Sequence, residues 1–223
     1  TEWGVKFWKQ SLEQGLRLME QAVTSHIITA RLGVPLMVEG GRGLIIEVTD
    51  GDTLGYRGTF FYDLVKTGVI RLAYAMANDL RGTGVTALAL TPGFLRSEAM
   101  LEHFGVTDAT WRDGAARDPH FAFSESPAFV GRAVAALAAD PEVHRKGGKA
   151  WASWTLAREY GFTDADGSRP DWGAHWTSLF EPIYERGRVE PSERSLLEMR
   201  MSQLEWDPEG REELARIREL LAR

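Results

Sequence analysis

The sequence predicts an α/β fold: a doubly wound parallel sheet, partial over this chain, with a helical C-terminal extension. Two short, mostly apolar runs, residues 44–48 and 85–90, each follow a long stretch with apolar residues at three- and four-residue steps. Alternation of that kind places helices on both faces of a parallel sheet, whose strands are buried on both sides. From about Pro191 onward, charged residues alternate with Leu196, Leu197, Met199, Leu204, Leu214, Ile217, Leu220 and Leu221. This is the pattern of one or two amphipathic helices lying outside the sheet.

The first long helix is expected over residues 9–38, where Leu12, Leu16, Met19, Val23, Ile27, Ala30, Val34 and Met37 share one face. Gly40-Gly41-Arg42-Gly43 then turns the chain into a strand. Because these glycines precede a strand and open no helix, they lack the geometry of a phosphate-binding turn. The strand Leu44 to Val48 ends at Asp50-Gly51-Asp52, and a second long helix is expected over residues 59–81. Its apolar surface comes from Phe60, Leu64, Val65, Ile70, Leu72, Ala73, Met76, Ala77 and Leu80, and Gly82 to Gly84 ends it. The second strand follows at 85–90, and Pro92-Gly93 turns the chain at its tip. Residues 98–123 mix Met100, Phe104, Trp111, Phe121 and Phe123 with charges, the composition of a lid over an apolar pocket. Ser124-Glu125-Ser126-Pro127 opens another helix by capping chemistry, and Asp140-Pro141 closes it. Residues 148–154 form the expected last strand. Two units are therefore expected: 1–163, containing the sheet, and 164–223, a turn-rich segment with the helical extension.

Composition narrows the functional classes. The 26 basic and 32 acidic residues leave a net charge of −6, without the cationic field that a duplex-binding protein needs, so no nucleic-acid partner is expected. The absence of cysteine excludes disulfides, thiol catalysis and cysteine-ligated metals, and fits a reducing compartment. No apolar run approaches the roughly 20 residues needed to span a bilayer, and no signal-peptide layout is present, so a cytoplasmic location without membrane attachment is expected. The five histidines include no i, i+4 pair, and no metal site is expected.

Tyr62 and Lys66 stand one helical turn apart, directly after the first strand and its loop. Residues at i and i+4 share a helix face, so a phenol and an ammonium can enter one cleft. Bringing a tyrosine from about pH 10 toward 7 requires roughly 4 kcal/mol, which a close ammonium and a cationic cofactor supply only at lowered dielectric. Ligands of an open parallel sheet gather beyond the carboxyl ends of its strands, which is where Thr49 and residues 92–97 fall.

Thr49, Tyr62, Lys66 and the run Pro92-Gly93-Phe94-Leu95-Arg96-Ser97 occur in an order that resembles the later part of a short-chain dehydrogenase/reductase, a family with a Rossmann-like fold. The resemblance runs from about Leu12 to Arg169. It implies an NAD- or NADP-dependent oxidoreductase that interconverts a small-molecule ketone or aldehyde and an alcohol, with Tyr62 as general acid or base. It further implies that Lys66 lowers the phenol pKa and holds the nicotinamide ribose, and that Thr49 bonds the substrate oxygen. Pro92, Gly93, Leu95 and Ser97, together with Tyr62 and Lys66, would hold the cofactor. Homodimers or homotetramers are the family's usual assemblies. The strand also aligns one residue later, which puts Asp50 in the hydroxyl position, where a carboxylate repels a developing alkoxide. The family's helix asparagine has no equivalent among residues 20–26, where Ser25 and His26 are the polar substitutes. Neither the glycine-rich dinucleotide turn nor the N-A-G-type turn occurs, and the resemblance implies about a hundred further residues ahead of this sequence. The alternative to an active enzyme is a catalytically impaired relative serving as a binding or regulatory subunit. Substrate identity, NAD against NADP, and the role of the C-terminal helices are not readable from these residues.

Overall fold

The computed structural model describes residues 1–205, 207 and 209–222. Three parallel strands, β1 (Gly43–Val48), β2 (Val85–Thr91) and β3 (Ala150–Ala152), form a sheet in the order β1-β2-β3. Register pairs Gly43 with Val85 through Val48 with Leu90, and Ala89 with Ala150 through Thr91 with Ala152. All seven residues of β2 are buried, which explains their apolar run: the central strand has no wet face.

The first helical stretch comprises α1 (Leu12–Met19) and α2 (Ser25–Glu39), joined through a π-helical turn at Glu20–Thr24. Ser11 caps α1 by accepting from the Gln14 amide. Gly15 is the contact point with the next long helix, because a Cβ there would meet the Phe61 ring at 2.3 Å. That helix, α3 (Phe60–Asp79), buries Val65, Val69 and Ala73 against the sheet side. On the other face α5 (Pro127–Ala139) and α6 (Ser153–Tyr160) pack with β2, where Leu88, Leu90, Val130, Ala133, Leu137 and Leu156 form one core. The expected last strand is shorter than 148–154, because Ser153 and Trp154 already belong to α6.

Residues 98–123 form α4 (Glu98–Phe104) and two 3₁₀ turns, Trp111–Ala116 and Pro119–Phe123. Of the expected lid aromatics, Phe104, Trp111 and Phe121 are buried together, with Phe104 and Phe121 stacked at 4.1 Å, while Trp111 and Phe123 also border a cavity. Phe123 is the exposed exception.

The extension contains α7 (Trp172–Ser178), α8 (Glu181–Arg186), α9 (Arg194–Leu204) and α10 (Arg211–Ala222). Phe180, Ile183, Leu197, Leu204, Ile217 and Leu220 form a second core there, and Arg200 makes a paired contact with Glu213 at 2.7 and 2.9 Å. No helix among the described residues is long and apolar enough to cross a membrane.

Candidate active site

The carboxyl ends of β1 and β2 are tied together by short-range bonds. The Thr49 amide donates to the Leu90 carbonyl at 2.9 Å, and the Gly51 amide to the Thr91 hydroxyl oxygen at 2.8 Å. Thr91 in turn donates to the Pro92 carbonyl at 2.9 Å, so the loop after β1 and the turn after β2 form one edge.

Helix α3 opens beside that edge with Tyr62 in its first turn and Lys66 in its second. Both are half-buried, and Lys66 Nζ lies 5.4 Å from the centre of the Tyr62 ring, as the shared helix face requires. The Tyr62 hydroxyl donates to Asp50 Oδ2 at 2.8 Å, and Trp3 packs against the ring with centroids 5.4 Å apart.

Thr49 lies between β1 and α3. Its hydroxyl is 2.8 Å from the Lys66 carbonyl, to which it donates, and the residue is buried. Successive residues at a strand end point to opposite sides, so Thr49 fastens β1 to α3 while Asp50 reaches the phenol. The side chain that bonds the Tyr62 hydroxyl is thus Asp50.

Burial and Asp50 act against acidification of the phenol. Burial is the largest cause raising the Tyr62 pKa, and the charge of Asp50 and its hydrogen bond raise it further, well above the ordinary phenol value. Burial lowers the Lys66 pKa, against an opposing pull from Asp50. Together these influences favour the protonated phenol.

The turn 92–97 is braced from below. The Gly93 amide donates to Glu125 Oε2 at 2.9 Å, and Leu95 forms an isolated parallel bridge with Glu125. Pro92, Gly93, Leu95 and Ser97 are half-buried. Ser97 caps α4 by accepting from the Met100 amide at 3.3 Å. A Cβ on Gly93 would meet Trp172 Cβ at 2.6 Å, so the glycine is required by close approach of the extension.

Three features were not evident from sequence. Arg57 holds the loop after β1, bonding the carbonyls of Asp50, Gly51, Thr53 and Gly55 and the Thr67 hydroxyl. A glycine-rich loop around an arginine was the available signal. Glu125 is almost fully buried and links elements 32 and 28 residues away. His120 Nδ1 lies 2.9 Å from His175 Nε2, a contact across 55 residues. Burial and the neighbouring His120 lower the His175 pKa. No group of three or more metal-binding side chains occurs among the described residues. His26 bonds Glu47 on β1 at 2.5 Å, and Ser25 bonds the Gln21 carbonyl, so both substitutes for the relay asparagine are engaged in holding the helix.

A cavity of about 890 Å³, lined by Arg42, Arg81, His144 and Lys149 among others, opens at the amino ends of the strands, away from Tyr62. A smaller one, about 360 Å³, lies between Trp111, Phe123, Arg169 and His175. Neither is the cleft at Tyr62. We locate the site by its side chains, because a ligand of a parallel sheet meets the carboxyl ends of its strands.

A nicotinamide dinucleotide fits the part of the site these residues form. Lys66 Nζ is half-buried and has no hydrogen-bond or ion-pair partner among the described residues, which leaves its donors directed to a group brought to the site.

A sequence profile described as short chain dehydrogenase matches residues 2–104. Dehydrogenase/reductase SDR family member 1 of Mus musculus is 33% identical over 163 residues, which are 72% of this chain and 52% of the relative. The 2-keto-3-deoxy-L-fuconate dehydrogenase of Xanthomonas campestris is 29% identical over 124 residues, 53% of this chain and 41% of the relative. The chain thus spans about half the length, or less, of these relatives. Among solved structures, ElxO with NADP bound superposes with a TM-score of 0.56 at 13% identity, over 68% of this chain and 61% of that one. Halohydrin dehalogenase bound to ethyl (2S)-oxiran-2-ylacetate superposes at 0.55 with 16% identity, over 68% and 62%. At such identities the likeness is one of fold.

Proposed function

The chain belongs to the short-chain dehydrogenase/reductase family, and on that footing we propose that it forms the later part of an NAD(P)-dependent oxidoreductase acting between a carbonyl and an alcohol. The observation that carries this reading is the Tyr62–Lys66 pair on one face of α3 at the carboxyl ends of β1 and β2. The bound dinucleotide would supply hydride exchange with the substrate carbon. Lys66 would donate to the ribose hydroxyls, and the turn at Pro92, Gly93, Leu95 and Ser97 would support the nicotinamide end. Tyr62 would hold the proton at its phenolic oxygen and deliver it to the carbonyl oxygen during reduction. Burial and Asp50 favour the protonated phenol, the form in which a general acid must start.

A second reading, a catalytically impaired binding or regulatory subunit, is favoured by Asp50 itself, since its carboxylate stands where a developing alkoxide would be repelled. Turnover of reduced dinucleotide by the full-length protein, with a panel of ketones and aldehydes, separates the two. We expect Tyr62→Phe to lower turnover about 100-fold or more, the range of a lost acid–base group. Turnover unchanged in Tyr62→Phe would reject the enzymatic role of this residue, and the absence of any dinucleotide binding would reject the first reading altogether. A homodimer or homotetramer in the reducing cytoplasm is part of the same proposal, checked by light scattering and by cell fractionation.

A further inference from the structure

Glu125 is 1% exposed and sits between two segments distant in sequence. Its Oε2 accepts the Gly93 amide at 2.9 Å and the Ser153 hydroxyl at 2.7 Å, joining the turn after β2 to the start of α6. Its backbone completes the joint: the Glu125 amide donates to the Phe94 carbonyl at 2.8 Å, and the Arg96 amide donates to the Glu125 carbonyl at 2.8 Å. The neighbours of Glu125 hold the same place. Arg96 bonds the Ser124 carbonyl and meets Asp164 at 3.1 Å, while the Ser126 amide donates to Asp164 at 2.8 Å. The second carboxyl oxygen of Glu125, Oε1, is buried and has no hydrogen-bond partner among the described residues.

We propose that Glu125 is the positioning residue of the Pro92–Ser97 turn, and that its hold on the turn depends on whether its carboxyl carries a proton. The proposal rests on the reading above only in taking that turn as the support of the nicotinamide end. The physical reason is the unmatched Oε1: a buried ionised oxygen with no partner is far costlier than a neutral one. The charged groups facing the carboxyl are Arg96 and Asp164, which act in opposite directions. Burial is the largest influence, and it pushes the Glu125 pKa up to about 7 against the bonds from Ser153 and Gly93. A hydrated glutamate in an opened turn titrates near 4.3. The closed turn therefore binds the proton more tightly than the open one. Linkage then makes the closed turn most stable at acid pH, with its stability lost as pH rises toward about 7 and level above that.

Amide hydrogen exchange of the full-length protein between pH 5 and 8, expressed as protection relative to the free chain, tests this directly. Protection at Gly93 and Arg96 is expected to fall by roughly tenfold or more across that range. Glu125→Gln keeps an oxygen for both donors and removes the titration, so its protection should stay flat with pH. Glu125→Ala should lower protection at the turn by roughly tenfold at every pH while Leu88 and Ala89 in β2 keep theirs. Should Glu125→Ala fail to fold, Ser153→Ala serves instead: losing a donor that favours the ionised form moves the midpoint to higher pH, a change that a merely structural contact would not produce. The proposal is overturned if Glu125→Gln retains the wild-type pH dependence, or if Ser153→Ala leaves the midpoint in place. Dinucleotide affinity, read by fluorescence quenching on the same variants, should follow turn protection. If the wild-type protein binds no dinucleotide, the functional reading fails while the exchange data still decide the role of Glu125.

Discussion

Asp50 is the residue on which the chemistry of Tyr62 turns. Its carboxylate accepts a hydrogen bond from the phenol at 2.8 Å and adds to burial in raising the phenol pKa. Asp50→Ser removes the charge and the strong acceptor together, so the Tyr62 pKa should move down while burial still keeps it above that of free tyrosine. Ultraviolet titration of phenolate in Asp50→Ser, with Asp50→Ser/Tyr62→Phe as the blank, should show the transition at lower pH than in the wild type. An unchanged transition would show that burial alone governs the phenol. The choice between Thr49 and Asp50 was open in the sequence because the two candidates are adjacent, and a strand end can place either on the cleft side. The structure engages the Thr49 hydroxyl with the Lys66 carbonyl, a contact across 17 residues that spacing alone does not reveal.

At the scale of elements, the helices and the two longer strands were legible because their signals are local. Apolar steps of three and four residues mark α1, α2 and α3, and the buried run 85–90 marks β2, which extends one residue further to Thr91. Less legible were the elements whose boundaries depend on distant partners. Residues 98–123 read as a lid because aromatics among charges fit either a pocket wall or a small core, and the segment does both: Phe104 stacks on Phe121 in a core, and Trp111 and Phe123 border a cavity. The loop between β1 and α3 is shaped by Arg57, whose side chain is nearly buried and bonds four loop carbonyls. Arg57→Ala leaves those carbonyls without their shared donor and should cost about 2–4 kcal/mol in denaturant unfolding. Arg57→Lys should recover little of that, since an ammonium lacks the planar fork that reaches several acceptors. A loss below about 0.5 kcal/mol in Arg57→Ala would mean that the loop holds its shape through Asp63 and the strand-end bonds.

Across the whole molecule, the extension is connected to the site through the loop after β1. The Tyr56 amide donates to the Ser202 hydroxyl oxygen at 2.9 Å, and Trp176 Nε1 donates to Gln203 at 3.0 Å inside the extension. Gly55 lies against Gln203 so closely that a Cβ would stand 2.5 Å from its Cα, a backbone contact that cannot yield by side-chain rotation. Gly55→Ala should therefore push α9 from the loop at a cost of about 1–3 kcal/mol, the range for overpacking a tight contact. If residues 164–223 form a unit with a core of their own, as we propose from the Phe180, Ile183, Leu197 and Ile217 cluster, displacement should leave that core closed. Hydrogen exchange should then quicken at Tyr56 and along the loop bearing Asp50, while Leu197 and Ile217 stay protected. Exchange that quickens equally through α9 and α10 would show instead that the extension depends on the sheet body for its fold. Because the loop that loosens also aims Asp50 at Tyr62, this variant would further reveal whether the distant helices tune the phenol: a phenolate transition shifted as in Asp50→Ser would place the extension in control of the site's proton.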